Sequence, residues 1–175
     1  SEAGARPSTS PGGSAGYSTG SGGGGGTHSG GTGGNGGSGI VVVRYQIASI
    51  ATLKATGGAV SFAGGKTIHQ FLSSGTFTIP APSNLSSVDY LVVAGGGGGA
   101  GRHAGGGGAG GYRTSSPEGP GGPSPSAEPA LTVSSNKTYT ITVGSGGGQG
   151  YGATGVGLRG GPSSIAGPDI TTITS

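Results

Sequence analysis

"SGGTGGNGGSGIVVVRY", residues 29–45, joins two kinds of chain. Up to Ser38 it carries one small polar side chain every third residue, at Ser29, Thr32, Asn35 and Ser38, with glycine at every position between. It then runs into Ile40, Val41, Val42 and Val43. A left-handed extended helix has about three residues per turn, a rise of about 3.1 Å and no internal hydrogen bonds. Its side chains fall in three rows. Two rows of glycine beside one variable row mean two faces packed on other backbones and one facing outward. Collagen asks for one glycine in three with abundant proline, and this stretch has neither that register nor the proline. The β-branched run that follows is strand-forming. Ile40–Gln46 predicts a strand, apolar enough to be buried on both faces.

The same alternation of arm and strand continues along the chain. A first glycine arm covers 20–39, a second 95–111 and a third 144–161. The second keeps the beat loosely: Ala100, His103, Ala109 and Tyr112 share a row, and Arg102 and Ala104 break it. The third is interrupted by Ser145, Gln149, Tyr151, Ala153 and Thr154. Between the arms, "GGKTIHQFLSSGTFTIP" reads as two strands around Ser73–Gly75, and "VDYLVVA", 88–94, as another buried strand. "ALTVSSNKTYTITVG" reads as a hairpin turning at Ser135–Lys137, and "SIAGPDITTITS" as a last strand. No helix is expected. The fold class is all-β: a small β-layer or sandwich, with glycine arms packed as threefold, polyglycine II-like helices bonded laterally through backbone groups that must be paired when buried. The expected organisation is a linker or loop over 1–19, a glycine arm plus closing strand over 20–46, a connector over 47–66, and a β/glycine-rich module over 67–175 with a Pro-rich loop at 112–129.

Composition narrows the function classes. Glycine is 48 of 175 residues and charged residues are 7%, so ordering this chain is costly unless backbone hydrogen bonding is dense. The net charge of +3 comes from eight scattered basic residues, without the clustering that nucleic-acid binding needs. No nucleic-acid partner and no membrane insertion are expected. The chain has no cysteine and begins at Ser1, which reads as a processed chain or a segment of a longer one. "GGKT" at 64–67 is not a phosphate loop, since Val60 stands where its first glycine would be. "GGSGIVVVR" lacks the Asp of a calcium-binding β-roll repeat. His28, His69 and His103 have no metal-ligand spacing, and Glu2, Asp89, Glu118, Glu128 and Asp169 form no local pair. No catalytic residue, cofactor or metal site is expected, and the chain is read as a non-enzyme. Asn84 and Asn136 head glycosylation acceptor triplets, a pattern that matters only in a secretory host.

The phrases "SSGTFTIP", "VDYLVVAGGGGGAG", "YTITVGSGGG" and "GGTGGNGGSGIVVVRY" resemble the glycine-rich repeat domains of bacteriophage tail fibres, adhesins and related virion proteins. In that pattern "GGSGIVVVRY" closes the unit, whereas here it stands near the start. The resemblance implies a fibre or adhesin module at a virion surface or outside a cell, with arm-end loops touching a host receptor and other virion proteins as neighbours. A subunit of a non-viral extracellular filament is the alternative. Candidate receptor contacts are Arg102, His103, Tyr112 and Arg113, because Tyr and Arg are favoured at binding hot spots. Candidate assembly residues are Ile40, Val41, Val42, Val43, Ile170 and Ile173. They are expected to join copies head to tail, the C-terminal strand of one completing the layer opened by residues 20–46 of the next.

Overall fold

A computed structural model of the chain describes residues 10–27, 30–47, 54–116, 118–119, 122–123, 127–152 and 155–175. Among them there is no helix, and the strands form antiparallel sheets: the protein is all-β. The chain divides into a glycine unit, Ser1–Gly39, Ala94–Gly111 and Gly144–Pro162, and a β unit, Ile40–Val93, Tyr112–Val143 and Ser163–Ser175. Each boundary falls where glycine gives way to a bulky or β-branched side chain, or close to it.

The glycine unit is built from extended segments that repeat every three residues. Its centre is 94–101. Ala94, Gly97 and Ala100 donate to the carbonyls of Gly111, Gly108 and Gly105; Gly95, Gly98 and Gly101 donate to Gly161, Leu158 and Gly155; Gly96, Gly99 and Arg102 donate to Gly37, Gly34 and Gly31. Each row of the threefold helix thus serves one antiparallel neighbour. Two parallel neighbours return the favour: Gly23 and Gly26 donate to the carbonyls of Gly97 and Ala100, and Gly147 and Gly150 to those of Gly96 and Gly99. Ser29 lies outside the described residues. Past it, Thr32, Asn35 and Ser38 are the less buried row of their segment, while Gly33, Gly34 and Gly37 are buried. The glycines are required by proximity and not by backbone angle. A Cβ at Gly33 would stand 1.9 Å from the Gly99 carbonyl oxygen, and one at Gly98 2.0 Å from that of Gly148.

Three features of this unit depart from the sequence reading. Each arm is a hairpin of two segments, with Gly30, Arg102–Ala104 and Gly152 among the described turn residues; residues 28–29 and 153–154 lie outside the described residues. The third arm is as regular as the others, since Gly39, Gly36 and Gly33 donate to Gly144, Gly147 and Gly150 in steps of three. Part of the expected 1–19 linker belongs to the bundle, because Gly12 and Ala15 donate to Thr32 and Asn35.

The β unit is a sandwich. One sheet has the order β2(Ala59–Ala63), β3(Lys66–Phe71), β1(Ile40–Gln46), β5(Ser87–Val93), β6(Tyr112–Thr114), with β9(Leu131–Thr132) also on β5. The other has the order β12(Ile173–Thr174), β11(Ser164–Ala166), β10(Lys137–Thr142), β4(Gly75–Ile79). β7(Glu118–Gly119) and β8(Gly122–Pro123) form a small hairpin. The core alternates as strands require: Val41, Val43 and Tyr45 from β1 and Tyr90 and Val92 from β5 meet Phe77, Ile79, Tyr139 and Ile141 in one cluster. The chain of rings Tyr45–His69–Phe77–Tyr139 crosses from one sheet to the other, with centroids 5.5, 5.1 and 6.2 Å apart.

Several expectations are corrected here. β1 and β5 are fully buried on one face only; Ile40 and Val42 are half-buried. The expected 131–143 hairpin does not form. Its turn exists, with Asn136 at φ 57°, but β9 pairs with β5 and β10 pairs with β4 and β11. The last strand is two, β11 and β12, paired with each other. The 47–66 connector contains β2, joined to β3 by a tight turn at Gly64 and Gly65, both with positive φ. Residues 48–53 lie outside the described residues. The 112–129 loop begins with β6 and holds β7 and β8. The residues expected at the head-to-tail joint take the following places. Val41, Val42 and Val43 of β1 are paired with β3 on one edge and β5 on the other, while Ile40 is paired with β5 alone. Ile173 is buried in β12, the outermost strand of its sheet, which pairs with β11 on its inner side, and Ile170 packs against the same core.

Candidate functional site

At one end of the glycine unit the three arm turns meet. Arg102 N–H donates to the Gly31 carbonyl at 3.0 Å, and Gly101 N–H to that of Gly155 at 3.0 Å. A Cβ at Gly101 would lie 2.7 Å from the Gly152 oxygen. So the 102–104 turn touches both others through backbone. The opposite end of the unit holds Gly39, Gly144, Ala94, Gly111 and Gly161, likewise joined by hydrogen bonds.

The turns solve one problem in two ways. Reversing an extended chain tightly needs positive φ, and Gly30 (φ 99°) and Gly152 (φ 62°) supply it in two of them. In the third the positive-φ residues are Arg102 (φ 41°) and His103 (φ 56°). An L-residue in this region costs about 1–2 kcal/mol. A chain that places glycine at 48 positions withholds it at two adjacent positions where glycine is conformationally best. Observed strain of this kind points to a role for the side chains. Both are exposed, and Tyr151, beside Gly152 in the neighbouring turn, is 68% exposed.

The electrostatics of this end are one-sided. Among the described residues of the glycine unit the formal charges are Arg102 and Arg159, and there is no carboxylate. The described carboxylate side chains lie in the β unit and are engaged there. Asp89 on β5 accepts from Arg44 of β1 and Lys66 of β3, at 3.1 and 3.0 Å. Glu128 takes Arg113 bidentately, at 2.7 and 2.5 Å, and accepts the Tyr90 hydroxyl at 2.7 Å. Asp169 accepts the Tyr139 hydroxyl at 3.2 Å. The Arg113 guanidinium holds the Glu128 carboxyl below its usual range, and burial with the adjacent Glu128 pushes the Tyr90 phenol up to about 12.

Those pairings separate the four sequence-derived contact residues. Arg102 and His103 share the turn just described. Tyr112 and Arg113 belong to the β unit, on β6, where Arg113 is committed to Glu128 and Tyr112 is 44% exposed. Sequence reasoning missed Tyr151 as their companion; the signal was present as an interruption of the third arm, which is a turn. His28 and Glu2 lie outside the described residues. His69 is fully buried: its Nδ1–H donates to the Gly57 carbonyl at 2.7 Å, so Nε2 accepts from the Tyr45 hydroxyl at 3.1 Å, and burial pushes its pKa down. A groove of about 500 Å³ between Gly57–Ala59 and Gln70–Thr76 is lined without any acid, base or cation. No cluster of three His, Cys, Asp or Glu that could hold a metal occurs among the described residues.

Comparison with curated proteins and with solved structures found no match in either. Residues 72–175 match the sequence profile of the family described as a glycine-rich domain, which spans β4 to β12 and the second and third arms and leaves out the first arm and β1–β3. Covering more than half of the chain, that match makes this protein a member of the glycine-rich domain family.

Proposed function

We propose that the chain is a non-enzymatic structural module of a virion surface fibre or adhesin, and that its glycine unit presents the Arg102–His103 turn to a host surface. The observation that carries the reading is the pair of non-glycine residues at positive φ, where the equivalent turns use glycine. The family membership supports a glycine-rich architecture, and the quoted phrases supply the likeness to virion fibres. Contact suits this site better than catalysis. An exposed guanidinium and imidazole on a turn make a recognition surface, while the described carboxylates are spent on structural pairs.

The test is fractionation of the source material on a density gradient. The chain is expected to band with a capsid protein and a packaged genome, and purified chain is expected to label the surface of a host cell. Recovery only in genome-free fibres would transfer the module to the alternative, an extracellular filament. One feature favours that alternative. β2 is the outermost strand of its sheet, all five of its residues are exposed, and Val60 and Phe62 face solvent from an edge that no described strand covers. Sedimentation of the purified chain as a monomer at micromolar concentration would remove it.

A further inference from the structure

Resting on the contact reading above, we infer that the turn end of the glycine unit binds acidic polysaccharide, through carboxylates met by Arg102 and His103 beside the Tyr151 ring.

The charge of the ligand follows from the charge of the site. Arg102 takes part in none of the described salt bridges, and no described residue of its unit is acidic. A neutral ligand gives no use for the Arg102 guanidinium presented from a left-handed turn, whereas an anion does. The guanidinium fork matches a carboxylate with two parallel hydrogen bonds, and the imidazole adds a donor one residue away. Tyr151 supplies a flat apolar face with a polar tip, suited to one side of a sugar ring. Its turn abuts the Arg102 turn through Gly101 and Gly152.

The polymeric nature of the ligand follows from the weakness of a single contact. An exposed ion pair is worth little, because both partners were well solvated before they met. One Arg, one His and one Tyr on open turns do not hold a free monosaccharide. Repetition of the same acidic unit along a chain, met by several copies of this module on one fibre, raises the effective concentration and makes shallow contacts sufficient. Duplex nucleic acid is also a polyanion, but it is bound by clustered basic side chains tracking the phosphates, and the described residues of this unit carry two arginines.

The experiment uses the full chain immobilised at high density. Polygalacturonate, its fully methyl-esterified form and duplex DNA are passed over it at rising salt. The acidic polymer is expected to be retained and to dissociate as sodium chloride rises from about 50 to 500 mM, because screening shortens the reach of exposed charges. The neutral ester is expected to pass through. In the double variant Arg102→Gly/His103→Gly retention is expected to fall at least tenfold, with the thermal midpoint unchanged or raised because glycine relaxes the positive φ. Arg102→Lys is expected to keep part of the binding. Equal retention of the ester, or competition by duplex DNA at matched charge, overturns the inference. Cell labelling keeps the two readings apart. If the double-glycine variant loses labelling while polygalacturonate is never retained, the acidic-polymer class is wrong and contact by this turn stands. If labelling survives the double substitution, contact by this turn is wrong.

Discussion

The β unit is held together by its side chains, and the glycine unit by their absence. In the first, Tyr139, Phe77, Ile79 and Ile141 fill the space between two sheets, and a lost methyl group leaves a hole. In the second, backbones approach until a single added carbon would overlap a carbonyl. Both satisfy the rule that buried backbone groups must be paired. The sheets do so along strand edges, and the glycine bundle does so around its central segment, 94–101, in three directions. The units therefore fail in opposite ways. The β unit is injured by removing atoms and the glycine unit by adding them.

The largest effect should follow the smallest insertion at the wrong row. Gly33→Ala places a Cβ 1.9 Å from the Gly99 oxygen, with backbone on the far side and no flexible side chain to give way. Overpacking in ordinary cores costs about 1–3 kcal/mol. Here the cost should exceed about 3 kcal/mol, comparable with the roughly 2–5 kcal/mol expected for emptying the β core with Ile141→Ala. Asn35→Val, on the outward row, should cost only about 1 kcal/mol, the hydrogen bond that Asn35 Oδ1 accepts from Gln149 N–H. Denaturant midpoints for the three variants test the contrast. Equal losses for Gly33→Ala and Asn35→Val would contradict the row assignment.

A drop in pH should separate the units without any mutation. His69 is buried between Tyr45 and Phe77 and bonded to the Gly57 carbonyl, and burial pushes its pKa below 6.5. A group depressed in this sense binds its proton more readily in the unfolded chain. The stability it contributes is complete above about pH 6.5 and declines as pH falls toward its folded value, by at most about 1.4 kcal/mol per pH unit. Glu128 is also depressed, but from 4.5, so its contribution is lost in a lower window. Between pH 6.5 and 5, then, hydrogen exchange should quicken around β2, β3 and Gly57 and change little in the glycine unit. Exchange that quickens first in 94–101 would reverse the assignment.

How much of this was legible differs by unit, for a physical reason. In 31–38 the threefold beat is visible because one row faces outward and tolerates Thr, Asn and Ser. In 95–99 no side chain marks the beat, although the row of Ala94, Gly97 and Ala100 has room for a Cβ, and a pure glycine run is what remains. The most fully bonded segment has the least patterned sequence. Breaks in the beat were equally informative, since Arg102 and Tyr151 sit at turns. In the β unit, alternation exposed β4 and β10, and unbroken apolar runs exposed β1 and β5 while overstating their burial, since each presents one fully buried face to the core. It could not say which strands pair. Asn136 marks a real turn, yet β9 and β10 leave it for different sheets. β2 was invisible because its five residues are exposed and carry no buried face. Arg113 looked available because Glu128, its partner, lies across a proline-rich loop that sequence cannot fold.

The gentlest test asks whether the glycine unit has any room at all. Gly97 lies on the same row as Ala94 and Ala100, the only two residues of the central segment that carry a Cβ. A Cβ built at Gly97 meets nothing closer than the Gly108 nitrogen at 3.5 Å, an ordinary contact, and its φ is not positive. At Gly98, one residue on, the corresponding distance is 2.0 Å. Replacing glycine by alanine where the native backbone accepts it stabilises by about 0.4–1 kcal/mol, because the unfolded chain has fewer conformations to lose. Gly97→Ala is therefore expected to match or slightly exceed the parent in denaturant midpoint, and Gly98→Ala to fall well below it. A pair of neighbouring glycines with opposite responses to the same methyl group is a signature that a flexible linker cannot give, since a linker would treat them alike. Equal responses at 97 and 98 would remove the threefold register from the centre of the bundle, and with it the contrast between a unit that tolerates lost atoms poorly and one that tolerates added atoms only along a single row.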